Sequence, residues 1–184
     1  KYKNKLAIGK GSMRLGQAYR ITGKYDEASQ LFEQAQNVFK ETKNKEGIAT
    51  THRLKGTLQY ELGMLAEAKE SWEDALIIYK ELHFRHSIAD VINNLGLVFQ
   101  ARGQQNEAMK NHQAANNIFL ELDSEPQVAL TLLYMGHVYR NWGQFEKAYI
   151  SYQKAAKLFK KAGLEMELTR IFMSIGILNI EAKK

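Results

Sequence analysis

The sequence of 184 residues contains no cysteine and a single proline. Without cysteine there are no disulfides, no thiolate metal sites and no cysteine nucleophiles, a composition that fits a reducing compartment and leads us to expect a cytoplasmic protein. One proline, with no block of turn-forming residues, argues against an all-β fold. No apolar run approaches the roughly 18 residues that a membrane span requires, and the start lacks the basic-then-apolar pattern of a signal peptide. Charge of one sign is also scarce once its location is considered. The formal net charge is +6, but Lys1, Lys3, Lys5, Lys183 and Lys184 lie at the ends, and without them 21 basic residues face 20 acidic ones. A nucleic-acid binder carries a basic stripe on its folded surface, so neither nucleic acid nor membrane is expected as a partner.

What the sequence has instead is a period. Gly16 recurs as Gly56, Gly96, Gly136 and Gly176, forty residues apart each time. A second glycine recurs as Gly23, Gly63, Gly103 and Gly143, followed by small residues at Ala28, Ala68, Ala108 and Ala148 and again at Ala35, Ala75, Ala115 and Ala155. An aromatic column of Phe39, Tyr79, Phe119 and Phe159 runs beside an aliphatic one of Val38, Ile78, Ile118 and Leu158. Fixed self-similarity at this length marks a repeat architecture.

Inside a unit the apolar positions step by three and four, as at Ala28, Leu31, Phe32, Ala35, Val38 and Phe39, which is the period of an amphipathic helix. Each unit therefore reads as two antiparallel helices, the first ending at the second glycine, where a left-handed backbone is needed. The opening glycine costs about 1 kcal/mol in a helix interior. A close approach of the paired helix is the reason to keep it. Nine helices are predicted, near 6–22, 25–42, 46–62, 65–82, 86–102, 105–122, 126–142, 145–162 and 165–182. Pro126 falls where a helix start tolerates it.

The columns resemble the tetratricopeptide repeat: "LGQAY" at 15–19, "LGLVF" at 95–99 and "MGHVY" at 135–139 match the front of its pattern, and Ala28, Phe32 and Ala35 the back. The resemblance covers essentially the whole chain. Its period here is longer than the usual 34 residues, and Lys40, Lys80, Leu120 and Lys160 stand where the closing proline usually is. In this the chain is similar to the long-repeat branch that includes kinesin light chains, Pins-type adaptors and bacterial peptide-sensing regulators. Repeat 2 departs from the pattern, with Lys55 and Gln59 in columns otherwise apolar or aromatic.

The resemblance implies an all-α, right-handed superhelical solenoid over residues 1–184. Its units are about 6–45, 46–85, 86–125 and 126–164, with a lone first helix at 165–182, and together they are expected to be a piece of a longer protein. It also implies a non-catalytic scaffold that holds a peptide or partner helix in the groove lined by first helices. Carried over position by position, that groove comprises Met13, Gln17 and Arg20; Arg53, Thr57 and Tyr60; Asn93, Leu97 and Gln100; and Leu133, His137 and Arg140. Arginine and amide groups suit carboxylates and peptide backbone, and Leu97, Leu133 and Tyr60 supply apolar surface, so a peptide with acidic and apolar residues is expected. Members of the family that grip chaperone tails place lysine and asparagine where Met13 and Gln17 stand, so that clamp is not expected.

The remaining candidates read as structure. His83 and His86 straddle a turn without a completing carboxylate. His112 shares a column with Phe32, Trp72 and Tyr152 and reads as packed, as do Trp72 and Trp142, whereas His137 faces the groove. Glu27, Glu67 and Glu107 belong to the repeat itself and so make poor unique acids or bases; neither an enzyme nor a cofactor is expected. The stretch "LTRIFMSIGILNI" at 168–180 is apolar on more than one face. Because solenoid ends need a polar cap, the alternative reading is a spacer or a homo-oligomerisation segment that self-associates through 165–182.

Overall fold

An amphipathic repeat without strand-forming alternation can bury its apolar stripes only by pairing helices, and the computed structural model, which describes residues 2–182, does so throughout. Among the described residues there are nine helices: α1 (Tyr2–Ile21), α2 (Tyr25–Glu41), α3 (Lys45–Glu61), α4 (Leu65–Glu81), α5 (Arg85–Ala101), α6 (Gln105–Glu121), α7 (Glu125–Asn141), α8 (Phe145–Lys161) and α9 (Glu165–Glu181). Eight follow the predicted spans to within about a residue. Helix α1 begins four residues earlier than expected, since nothing between Tyr2 and Gly9 breaks a helix, and Lys5 ties it to Glu41 of α2 at 2.8 Å. Lys1, Lys183 and Lys184, read above as solvated ends, lie outside the described residues, as does the side chain of Lys3.

Glycine ends each complete first helix as anticipated. Gly23, Gly63, Gly103 and Gly143 have φ between 69° and 78°. At Gly143 the glycine N–H donates to the Arg140 carbonyl and the Gln144 N–H to the Tyr139 carbonyl, both at 2.9 Å, which satisfies carbonyls that the helix end leaves open. The turns that close the second helices need the same left-handed backbone. Only the last has glycine there: Lys43, His83 and Asp123 take φ of 52–56° where Gly163 takes 69°. His83 is thus a turn residue. Pro126 sits in the first turn of α7, as its position suggested.

The opening glycines carry aromatic rings. A Cβ added at Gly136 would lie 2.4 Å from Cε1 of Tyr152, and one at Gly56 2.6 Å from Cδ1 of Trp72. Phe32 and His112 lie over Gly16 and Gly96 in the same way. These rings are fully buried, Trp72 with its Nε1 donating 3.0 Å to the Arg53 carbonyl. His112 is 0% exposed and packs as its column predicts. Trp142 does not: it is 36% exposed, covered on one side by Tyr139, because it lies at the helix end beyond the paired stripe.

The chain divides into two units, the first ending at Asn94 and the second starting at Leu95, so that the division falls within α5. In the first unit α1 pairs with α2 and α3 with α4, and α3 also packs on α2. Ala28, Phe32, Leu54 and Leu58 form one cluster there. In the second unit α7 pairs with α8, α6 packs on α7, and α9 lies against α8 and α7. Its main cluster joins Leu133, Tyr152, Phe159, Ile171 and Leu178.

Candidate functional site

Because side chains three and four apart share a helix face, the first helices present positions 13, 17 and 20 of each repeat together. In the first unit some of these positions are tied by the protein's own contacts. Arg20 pairs with Glu61 one repeat on. Thr57 donates 3.0 Å to the Arg53 carbonyl, and Tyr60 leans on Trp72 with ring centroids 5.8 Å apart. Met13 is half-buried against the Phe32 cluster, and Gln17 is exposed. The irregular Lys55 finds its reason in a chain of polar groups. Lys55 donates to Gln36 at 3.4 Å, Gln36 meets His52 at 2.9 Å, and His52 faces Asp74 at 3.5 Å. Burial lowers the His52 pKa, with Asp74 acting against that shift. On the same unit burial raises the Asp90 pKa, while His86 and Arg53 oppose it.

Two assigned positions are largely covered: Asn93 is 4% and Leu133 1% exposed, so Asn93 offers no open surface and Leu133 only the edge it gives to the hollow described below. They share one register position, and at Leu133 the cause is visible: α9 packs over it through the cluster containing Ile171. Leu97 and Gln100, in the second unit, are partly exposed.

The second unit carries a larger hollow on this face. Leu133, His137 and Arg140 of α7 converge with Arg170, Met173, Ser174 and Ile177 of α9 around a hollow of about 280 Å³. His137 Nε2 lies 3.2 Å from Ser174 Oγ, and that hydroxyl gives its one hydrogen to the Arg170 carbonyl at 2.9 Å. His137 is therefore the donor, with its hydrogen on Nε2. Burial, and then Arg140 and Arg170, push its pKa down to about 4, so the ring is neutral at pH 7. Arg140 Nε is 3.6 Å from Glu181, and among the described residues Arg170 makes no ion pair. His137 also belongs to a ladder of rings, His112, Tyr134, His137 and Tyr152, with successive centroids 5.4, 6.1 and 5.6 Å apart. The Tyr152 hydroxyl is buried with no hydrogen-bond partner among the described residues, and it feels both Arg140 and Glu181.

Leu133, His137 and Arg140 of this hollow are among the positions carried over in the register of α7. Arg170, Met173, Ser174 and Ile177 were not singled out, because the groove register was carried only through the four complete repeats and not onto the lone first helix α9; carrying it forward by forty positions finds Met173 and Ile177. Among the described residues no group of three or more histidine or acidic side chains is arranged to hold a metal ion. No helix of the described residues is long and apolar enough to cross a membrane.

Two family models, each described as a tetratricopeptide repeat, match residues 10–81 and 132–161, together more than half of the chain. The chain belongs to the tetratricopeptide repeat family. No curated protein matches it in sequence, whereas solved tetratricopeptide-like folds do in structure. BtubC (BKLC) from P. vanneervenii superposes with a TM-score of 0.81 at 21% identity, over 97% of this chain and 74% of that one. A Rap protein complexed with competence and sporulation factor gives 0.83 at 17% identity, over 90% of this chain and 46% of its own length. The Rap conjugation gene regulator of plasmid pLS20, in complex with the Phr* peptide, gives 0.78 at 21% identity, over 86% and 43%. The chain thus spans less than half of those two Rap proteins, and the likeness concerns the fold.

Proposed function

We propose that this tetratricopeptide array is a non-catalytic, cytoplasmic interaction scaffold whose first-helix face holds a peptide or partner helix carrying acidic and apolar residues. The observation that carries the reading is the hollow on α7 and α9, where His137 and Arg140, assigned to the binding face from sequence, line an open concavity with a second arginine and apolar walls. A concave, mostly apolar site with a few placed polar groups is the usual form of a binding pocket. Arg20, Arg53, Gln17, Thr57 and Tyr60 extend the same register in the first unit, and Leu97 and Gln100 do so in the second. Structural neighbours captured with competence and sporulation factor and with the Phr* peptide support this use of the fold.

The test is a selection of displayed random peptides on the chain. The winners are then measured against a variant carrying Arg53→Glu, His137→Ala and Arg140→Glu whose fold is checked by circular dichroism. Acidic-apolar winners that no longer bind the variant are expected. Winners that bind the variant equally would move the function to the opposite face, and basic winners would remove the acidic preference.

A second reading rests on α9, where Phe172 and Ile180 are 62% and 63% exposed and a Cβ added at Gly176 would meet nothing of another helix within 4 Å. That helix shows an uncovered apolar face of the kind that mediates self-association. A concentration-dependent mass in light scattering, abolished by Phe172→Glu with Ile180→Lys, is the result this reading requires.

A further inference from the structure

The outer faces of the second helices carry charge of opposite sign in the two units, which the repeat itself does not require. Counted forty residues at a time, one stripe of five positions, three and four apart, recurs on α2, α4, α6 and α8. Its positions are exposed on every copy, turned away from the buried column of Ala68, Trp72, Ala75 and Tyr79 and its equivalents. Helix pairing therefore does not fix what stands there. On α4 the stripe reads Glu67, Glu70, Asp74, Ile77 and Glu81, and on α8 it reads Lys147, Ile150, Lys154, Lys157 and Lys161. On α2 and α6 it is mixed, with two acids each among neutral residues and, on α6, Lys110.

The order of these residues says more than their count. Laid antiparallel, the stripes of α4 and α8 match at every position: Glu67 meets Lys161, Glu70 meets Lys157, Asp74 meets Lys154, Ile77 meets Ile150 and Glu81 meets Lys147. Laid parallel, Glu70 would meet Ile150 and Ile77 would meet Lys157, which sets each isoleucine against a charge. Steps of three and four mark the seam along which two helices pack side by side, and at 1.5 Å per residue this one is about 21 Å long. Ile77 is 59% and Ile150 42% exposed, so the apolar pair has surface to bury. The contacts already in place are ones that yield. Lys45 holds Glu81 at 2.8 Å and Glu125 holds Lys161 at 2.6 Å, both as exposed pairs of small net worth. Asp74 faces His52 at 3.5 Å, and Lys147 lies 5.7 Å from the centre of the Tyr139 ring. Glu67, Glu70, Lys154 and Lys157 have no ion pair among the described residues.

We propose that α4 of one copy of this chain docks antiparallel on α8 of a second copy, through acid–lysine pairs around an Ile77–Ile150 contact. Like charges oppose α4 against α4 and α8 against α8, so the two faces select each other. Each chain carries one face of each sign. A contact made in both directions closes a two-fold pair, and one made in a single direction leaves a face for a third copy. So short a seam makes a weak, salt-sensitive contact. It uses neither the hollow on α7 and α9 nor the apolar face of α9.

The test is sedimentation equilibrium of the chain carrying Phe172→Glu and Ile180→Lys, so that α9 does not contribute, at ~0.05 M and ~0.5 M salt. Two variants are made in that background and checked by circular dichroism, one with Glu67→Lys and Glu70→Lys, the other with Lys157→Glu and Lys161→Glu. Association at low salt that is lost at high salt is expected. Each reversed variant alone is expected to associate about tenfold more weakly, since two attractions become two repulsions. An equimolar mixture of the two is expected to recover the original strength, because each reversed face finds its complement on the other chain. Carbodiimide cross-linking of heavy- and light-isotope chains is expected to give inter-chain links of Lys157 to Glu70 and of Lys147 to Glu81.

A chain that stays monomeric at low salt up to ~1 mM overturns the proposal, as does association that ignores both reversals. If only the lysine reversals weaken it, or if the mixture stays as weak as its parts, α4 is not what α8 meets and the proposal fails. Links of Lys147 to Glu67 would overturn the antiparallel order. A monomeric chain whose α8 signals in NMR are shifted by poly-glutamate would give that face to a different acidic partner and overturn the self-contact. Peptide binding at the hollow is unchanged by either reversal, so the scaffold reading stands or falls separately.

Discussion

The first-helix faces of the two units begin from the same register and finish differently. In the first unit Arg20 of this face is joined to Glu61, and beside the face Lys55, Gln36, His52 and Asp74 form a polar chain that links α2, α3 and α4. In the second unit Arg140 reaches Glu181 at the same spacing, but loosely, and Arg170 is left without an ion pair among the described residues beside an open hollow. The repeat supplies a common packing device, and the residues not required for packing decide whether a face ties successive helices together or stays open. Helix pairing is thus the constant of this molecule and the inner face its variable.

The largest effect tests the constant. Gly56→Ala and Gly136→Ala both push a carbon to within 2.6 Å of a buried ring. Overpacking of this kind costs about 1–3 kcal/mol, more than the ~1 kcal/mol gained in helix propensity. Both variants are expected to lower the urea midpoint by similar amounts, whereas Gly176→Ala, with nothing within 4 Å, raises it. If Gly136→Ala proved neutral, the ring-on-glycine contact would not be what fixes the pairs.

Acid separates the units next. His112 is fully buried, and burial, then His137, push its pKa down to about 3, while His137 titrates near 4. Both stay neutral in the fold where the unfolded chain, titrating near 6.5, takes up protons. Stability is therefore full above about 6.5 and falls as pH drops from there toward 4 and then 3. For His112 the loss between pH 7 and pH 5 is on the order of 2 kcal/mol. His112→Phe, which restores the ring type of Phe32 in that column, is expected to remove about that much of the pH dependence in urea titrations at the two pH values. An unchanged slope would mean that the imidazole is not held neutral.

Charge tests are smaller. Arg20→Gln breaks a partly buried pair and is expected to cost about 1 kcal/mol, while Arg140→Gln, whose pair is loose, costs less than half of that, both by thermal unfolding. The reverse order would put the structural tie in the second unit. Smallest is Glu181→Gln. Removing the internal competitor for Arg140 is expected to tighten binding of the selected acidic-apolar peptides by about two- to fivefold, the scale of an exposed ion pair. A weaker complex would make Glu181 a support of the site instead.

Much of this was legible in the residues. The nine helices and the glycine turns follow from columns that repeat without a gap, and each column reports on local packing that any one copy would leave ambiguous. The left-handed residues Lys43, His83 and Asp123 were missed because they carry ordinary side chains; Gly163, in the same column, is the trace that marks them. That Asn93 and most of Leu133 are covered was not legible, because the burial of a first-helix position is set by helices distant in sequence, as Ile171 of α9 shows at Leu133. Arg170 was missed for the same reason. It joins Arg140 only through the packing of α9 on α7, and nothing local to either helix announces the meeting.

The rings laid on Gly16, Gly56, Gly96 and Gly136 also give each of the four repeats its own spectroscopic reporter. A glycine α-proton held against an aromatic face is displaced by the ring current and returns to its ordinary shift once the pair of helices separates. Repeat arrays unfold as nearest-neighbour chains rather than as single bodies. Four such signals, followed through one denaturant series, would read out the order in which this one comes apart.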